Sequence, residues 1–283
     1  MNLKWQKFTY PSLESIREAK EQSHQAIQNV AAVGRAFLPE SEIDEYANLE
    51  WDAKLQRLVG RWIEGNITFR SSISLYDFMV YLVDENFKTL SSISMQGSKQ
   101  KDVMVWLEKE LVQLGVDFSK INLNYPYELP DYADNLGHTF GVKSEQASHE
   151  LSRLYHNANL MIHYILAQEE KKVSKVKCWP HHFDIAGSVI LLDTGDQDTS
   201  KKIGVGMSPG DQDYDEPYFY VAPWPYPVKE LPDISETLGH WHENNWIGAV
   251  LPYSKLVGQD LIQDQIRVIQ KFYETAIHSL KNL

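Results

Sequence analysis

Apolar residues recur at helical spacing in several stretches of this chain and alternate like strands in others. Between Ser12 and about Phe37, Leu13, Ile16, Ala19, Ile27, Val30 and Val33 fall on one helical face, and Pro39 closes the stretch. Residues 41–63 read as further helix, less regularly. From Ile67 the period shortens. ITFRSSIS, DFMVYLVDE and FKTLSSISM are rich in β-branched and aromatic residues, and Glu85-Asn86 between the last two suits a hairpin. Ser98 then caps a helix whose inner side is Val103, Trp106, Leu107, Leu111 and Leu114, ended by Gly115. Asp117–Asp134, with Pro126 and Pro130, reads as an extended connection.

A long helix is predicted from about Ser144 to Lys171, where Ala147, Leu151, Leu154, Ala158, Met161 and Ile165 form a heptad-like seam. Ile262, Ile266, Ile269, Tyr273, Ala276 and Ile277 repeat that spacing in a last helix, about Gly258 to Leu280. Between these helices, residues 176–253 hold 4 of the 8 tryptophans and 8 of the 12 prolines, which disfavours helix and favours a sheet with elaborated loops. The expected fold class is therefore α+β, with long helices packed on a mainly antiparallel sheet. No linker or repeat interrupts the 283 residues, so a single integrated domain is expected, with a helical part over 1–65 and a body over 66–283.

Charge narrows the partners. Lys and Arg number 27 against 39 Asp and Glu, a net of −12. That balance speaks against nucleic acid or an anionic membrane, both of which call for clustered cations. A single cysteine, Cys178, rules out an intramolecular disulfide and a cysteine-based metal cluster. It alternates with Val176 on the apolar side of its segment, where a thiol is inert. The opening MNLKWQKFTYPS lacks the apolar core of a signal peptide, and the longest apolar run, Ile185–Leu192, is too short to span a bilayer. A cytoplasmic protein is expected, and the seam-like helices leave homodimerisation open.

Several candidate chemistries are set aside on geometry. His149, His156 and His163 stack along the long helix about 10.5 Å apart, too far to share one metal ion, and their stripe points away from the seam, so they read as solvated. His24 and His278 stand alone. Gly204-Val205-Gly206-Met207-Ser208-Pro209-Gly210 looks like a glycine-rich loop. However, Pro209 removes a donor and Asp211, Asp213, Asp215 and Glu216 would repel phosphate; those acids could instead take a hard cation or supply a general base, with a solvated cluster as the default. Asp193, Asp196 and Asp198 form a second acidic turn.

The stronger signal is aromatic and imidazole-rich. In extended chain, His182 and Asp184 share one face, and His240 and His242 share another. If the two stretches face each other, three imidazoles and a carboxylate converge, a first shell suited to a divalent transition metal. Tyr218-Phe219-Tyr220-Val221-Ala222-Pro223-Trp224-Pro225-Tyr226-Pro227 begins as a strand and continues extended, with rings held rigidly by prolines. Such rings serve either as a wall for a sugar or planar ring or as a lid over the protein's own core.

Taken in order, Trp179-x-x-x-Phe183-Asp184-Ile185-Ala186, Gly206-Met207-Ser208-Pro209-Gly210, Pro217-Tyr218-Phe219-Tyr220 with Pro223–Pro227, and Leu251-Pro252-Tyr253 resemble a bacterial family known only as a domain of unknown function. The resemblance covers about residues 66–280 and implies no reaction, cofactor or catalytic residue. The two residues before Phe183 vary in that family while the Phe-Asp unit is typical. This moves weight from His181 and His182 towards Asp184.

Three expectations follow. In the first, the protein is a metal-assisted hydrolase of small molecules: His182, His240 and His242 hold the ion, Asp184 ligates or orients, and Glu243 or Asp211 acts as base. In the second, it is a non-catalytic binding protein whose small-molecule ligand meets Trp179, Tyr220, Trp224, Tyr226 and Trp246. In the third, the motifs serve only to interlock loops. The first two expect a cleft lined by residues 179–184, 206–226 and 240–246.

Overall fold

The computed structural model describes residues 4–39, 45–130, 139–196 and 198–283. Expectations that fall on residues 41–44 and 131–134 lie outside them. Within the described residues the fold is α+β, with long helices and two sheets whose strands pair antiparallel. The chain gathers into two compact units. One comprises Pro11–Ser152 and Cys178–Phe183, the other Met1–Tyr10, Arg153–Lys177 and Asp184–Leu283.

The first unit opens with α1 (Leu13–Phe37), capped by Ser12, whose hydroxyl accepts from the Ser15 amide. A meander follows, β1 (Glu50–Asp52), β2 (Arg57–Val59), β3 (Phe69–Ser74), β4 (Met79–Asp84) and β5 (Thr89–Ser94), paired in that order. The helix expected over 41–63 is corrected here: residues 50–59 form the β1–β2 hairpin. Asp52 accepts from the amides of Lys54 and Leu55, which turns the chain, and Trp51 pairs with Leu58 so that both are buried. Local turn chemistry and a cross-strand apolar pair outweigh a weak helical period. The Glu85-Asn86 hairpin forms as expected, with the Asp84 side chain accepting from Asn86 and Lys88.

Phe69, Ser71 and Ile73 turn one face of β3 towards α1, where the Ser71 hydroxyl donates to the Val30 carbonyl at 3.2 Å. Helix α2 (Gln100–Gln113) follows, burying Val103, Leu107 and Leu111. Its cap is Lys99 rather than Ser98. Asp102 reaches back to the Lys99 amide at 2.8 Å, whereas Ser98 donates to the Ser94 carbonyl. Gly115, at φ 80, ends the helix as expected.

Helix α3 (Glu145–Leu166) buries its whole predicted seam but stops short of Lys171. The chain leaves the second unit at β6 (Lys177–Trp179) and re-enters it at β7 (Asp184–Leu192). There β8 (Lys201–Ser208), β9 (Tyr218–Trp224), β10 (His240–His242) and β11 (Gly248–Pro252) complete the order β10-β11-β9-β8-β7. The glycine-rich 204–208 stretch is therefore strand, not loop. On one face Ile185, Val189, Ile203, Val205, Met207, Phe219, Val221, Ala249 and Leu251 are fully buried. This side packs on α5 (Ile262–Lys281), which is preceded by the short α4 (Ser254–Val257). Tyr273 of α5 meets Phe219 edge-on and donates to the Gly206 carbonyl at 2.8 Å. The other face carries the chemistry.

Candidate functional site

Strand pairing alone places the site. Ala186 lies opposite Gly206, Gly206 opposite Tyr220, Ser208 opposite Tyr218, Tyr220 opposite Val250, and His242 opposite Gly248. Alternation then directs Asp184, Gly206, Ser208, Tyr218, Tyr220, Gly248, His240 and His242 to the face away from α5. Two glycines make room for rings to lie flat on it. A Cβ on Gly206 would sit 2.4 Å from Cζ of Tyr220, and one on Gly248 would sit 2.5 Å from Cζ3 of Trp246. Absence of side chains, rather than freedom of φ, is what the sheet needs at these positions.

Across that floor Tyr220 reaches Asp184, donating to Oδ2 at 2.5 Å, and Tyr218 donates to Oδ2 of Asp211 at 2.5 Å. Burial, followed by the neighbouring carboxylates, pushes both phenols well above the usual tyrosine range. They are donors at all ordinary pH values. Trp246 stacks on His242, with centroids 4.5 Å apart, and lies 6.3 Å from Tyr218. Its indole donates to Asp213 at 3.2 Å. The hydroxyl of Tyr214 sits between two imidazoles, 3.1 Å from Nε2 of His240 and 3.0 Å from Nδ1 of His242. Burial, then His242 and Lys255, lowers the pKa of His240.

One group in this network is unsatisfied. His242 is buried, its Nδ1 is engaged by Tyr214, and its Nε2 has no hydrogen-bond partner among the described residues. In a neutral imidazole the shared hydroxyl decides what Nε2 offers: a proton if Tyr214 donates to Nδ1, a lone pair if it accepts.

The structure therefore brings together Asp184, Asp211, Tyr220, Trp246, His240 and His242. Tyr214, Tyr218 and Asp213 complete the cluster and are absent from the sequence-derived list; the alternation Tyr218-x-Tyr220 was the one available signal for Tyr218. Glu243 is exposed and stands outside these hydrogen bonds. Trp224 and Tyr226 are exposed and pack edge-on against each other at 5.8 Å. Among the described residues no three His, Cys, Asp or Glu side chains gather closely enough to hold a metal ion. Within the second unit, His240 and His242 both turn to the Tyr214 hydroxyl. The acids after Gly210 are also more than a solvated cluster, since Glu216 accepts from both the amide and hydroxyl of Ser254.

Trp179 and His182 belong to the first unit, where residues 178–183 are held by α1. The Pro180 carbonyl accepts from Nε2 of His24 and Nε2 of Gln28, both at 2.8 Å, and the Phe183 amide donates to the Trp179 carbonyl. His182 is exposed, with its ring 4.3 Å from that of His181. His24 is accordingly a buried anchor. The solvated reading also fails for His156, which is buried with Nε2 3.0 Å from the Lys4 carbonyl, and for His149, which stacks on Tyr76.

No family model, curated protein or solved structure matches this chain. Among the described residues no helix is long and apolar enough to cross a membrane.

Proposed function

We propose that this protein binds a small planar or sugar-like molecule on the aromatic face of its second sheet. Trp246, Tyr218 and Tyr220 supply ring contacts, and His242 supplies the orienting hydrogen bond. The observation that carries this reading is the buried Nε2 of His242, which has no hydrogen-bond partner among the described residues. A buried polar atom left unpaired costs about 1–3 kcal/mol, a cost that a ligand atom in hydrogen-bond reach removes. Rigid amphipathic rings around a few polar groups are the usual make-up of such sites. With its only cysteine buried, the chain suits a reducing compartment, and we place it in the cytoplasm.

Tryptophan fluorescence and NMR titrations against a panel of sugars and planar aromatics test the reading. A saturable response lost in Trp246→Ala, and weakened at least tenfold in His242→Phe, supports it. A panel with no response, or a response unchanged in both variants, overturns it.

A second reading, a small-molecule hydrolase, is favoured by the two phenol–carboxylate hydrogen bonds of 2.5 Å. Asp184 and Asp211 would exchange protons with substrate through their tyrosines. Turnover in an ester and glycoside panel, abolished in Asp184→Asn, would favour it over simple binding. The metal-assisted form would require stoichiometric transition metal in untagged protein, lost in a His240→Ala, His242→Ala double variant.

A further inference from the structure

Beside the aromatic cluster, the same face of the second sheet carries a transverse row of small side chains. Ser188 on β7 pairs with Gly204 on β8, and Gly204 with Ala222 on β9. One step beyond the Ala249–Val221 pair, Ala222 stands beside Gly248 of β11, which faces His242 of β10. Alternation points all five away from α5. The rings of Tyr220 and Trp246 account for Gly206 and Gly248, but nothing comparable lies over Gly204. It takes no positive φ, and among the described residues a Cβ there would come near only the Ala222 carbonyl, at an ordinary 3.5 Å. A glycine inside a central strand weakens it, so open space kept above one marks the close approach of something other than this sheet's own side chains.

Rings border the row. Tyr220 and Trp224 flank Ala222 on β9, two residues to either side, and so stand about 13 Å apart. Trp224 is 38% exposed and Tyr226, edge-on to it, 42%. Ser188, Gly204 and Ala222 are half-buried, so the floor between the two rings is open to solvent. At the β10 end the row stops at His242, 7% exposed, whose Nε2 has no hydrogen-bond partner among the described residues. Its Nδ1 turns to Tyr214, whose ring packs on Tyr218 at 4.8 Å. Nε2, across the imidazole, therefore points away from Tyr218, to the side of the face where Ala222 and Trp224 stand.

We infer that this row is a trough for a linear, uncharged oligosaccharide. One end of the chain meets Trp246 and His242, and the rest crosses β9, β8 and β7 between Tyr220 and Trp224. This rests on the binding reading above and names its ligand. From Gly248 to Ser188 is three strand spacings, about 14 Å. That is roughly twice the 4.5–7 Å over which aromatic rings stack. A single sugar or planar ring fills only one end. A chain of sugars follows the whole floor, laying its flat C–H faces on the rings and turning hydroxyls to Ser188 and to Lys202, which pairs with Trp224. An acyl chain would stay wet on so open a floor.

Calorimetric titration of the full chain with β-linked glucose, xylose and N-acetylglucosamine, each from monosaccharide to hexasaccharide, tests the trough. In one series affinity should rise about tenfold or more between the monosaccharide and the tetrasaccharide. Gly204→Val should abolish that rise with the melting temperature unchanged or higher, since valine suits a strand and this position is uncrowded. Trp224→Ala, at an exposed position, should lower tetrasaccharide affinity about tenfold and leave monosaccharide affinity as it was. Monosaccharide binding with no gain for longer chains, or a gain kept in full by both variants, would overturn the trough and leave the binding reading standing. Binding of planar aromatics alone would do the same. Silence towards sugars and aromatics alike would end both.

Discussion

The His24 ring lies flat against that of Phe183, with centroids 5.2 Å and planes 9° apart, and Phe183 holds this position from left-handed backbone at φ 56. Both side chains are buried. A bulky residue pays steric strain in that region, so the stack and the Pro180 hydrogen bonds must together over-determine the turn.

Acid should loosen this turn. Burial, the leading cause, lowers the His24 pKa from 6.5 to about 4, despite its hydrogen bond to Pro180, with Lys20, His182 and His181 adding repulsion. The unfolded chain takes up this proton below pH 6.5 and the folded chain only below about 4. Stability is therefore fully present above 6.5, falls as pH drops towards 4, and loses roughly 3 kcal/mol over that window. Urea titrations at several pH values should show this slope in the wild-type protein and a shallower one in His24→Gln.

Replacing Phe183 separates packing from strain. Phe183→Ala should cost about 3–5 kcal/mol through the cavity it leaves. Phe183→Gly should be no worse, and up to about 1 kcal/mol better, because glycine tolerates the positive φ. Denaturant midpoints that rank the glycine variant clearly below the alanine one would contradict the strain.

Gly206→Ala should strike the second-sheet site without replacing any of its polar side chains. The added Cβ would displace Tyr220 from Asp184, for a loss of about 1–3 kcal/mol and of ligand response. In a Tyr220→Ala background the same substitution should cost under about 0.5 kcal/mol. A double-mutant cycle measures that coupling, and strict additivity would show that the ring is not what the glycine accommodates.

Gly34→Ala should invert the usual helix preference. Alanine ordinarily stabilises a helix interior by about 1 kcal/mol over glycine. Here its Cβ would stand 2.2 Å from the Tyr46 carbonyl oxygen, so a net loss in thermal unfolding is expected.

Periodicity made α1, α3 and α5 legible, because their seams repeat over about four turns or more and few competing patterns survive that length. The β3–β4–β5 meander was legible from its β-branched and aromatic residues and the Glu85-Asn86 turn. Residues 50–59 were misread because three-residue strands carry too little period to beat a helical count, and only the Trp51–Leu58 pairing shows their nature.

Residue types and alternation already singled out Asp184, Tyr220, Trp246 and the His240/His242 pair, since these are local properties of the chain. What they could not contain is register. Whether His242 meets His182 or Tyr214, and whether Asp184 meets an imidazole or the Tyr220 phenol, depends on which strands lie side by side and on which glycines let rings cross them. The contacts that form, Tyr214 with His240 and His242 and Tyr220 with Asp184, join residues 26 to 36 positions apart and are set by burial of the opposite, apolar face of the sheet and not by any motif. Tertiary packing likewise made buried anchors of His156, which reads as solvated, and of His24, which reads only as isolated, because a histidine's environment is decided by what folds over it.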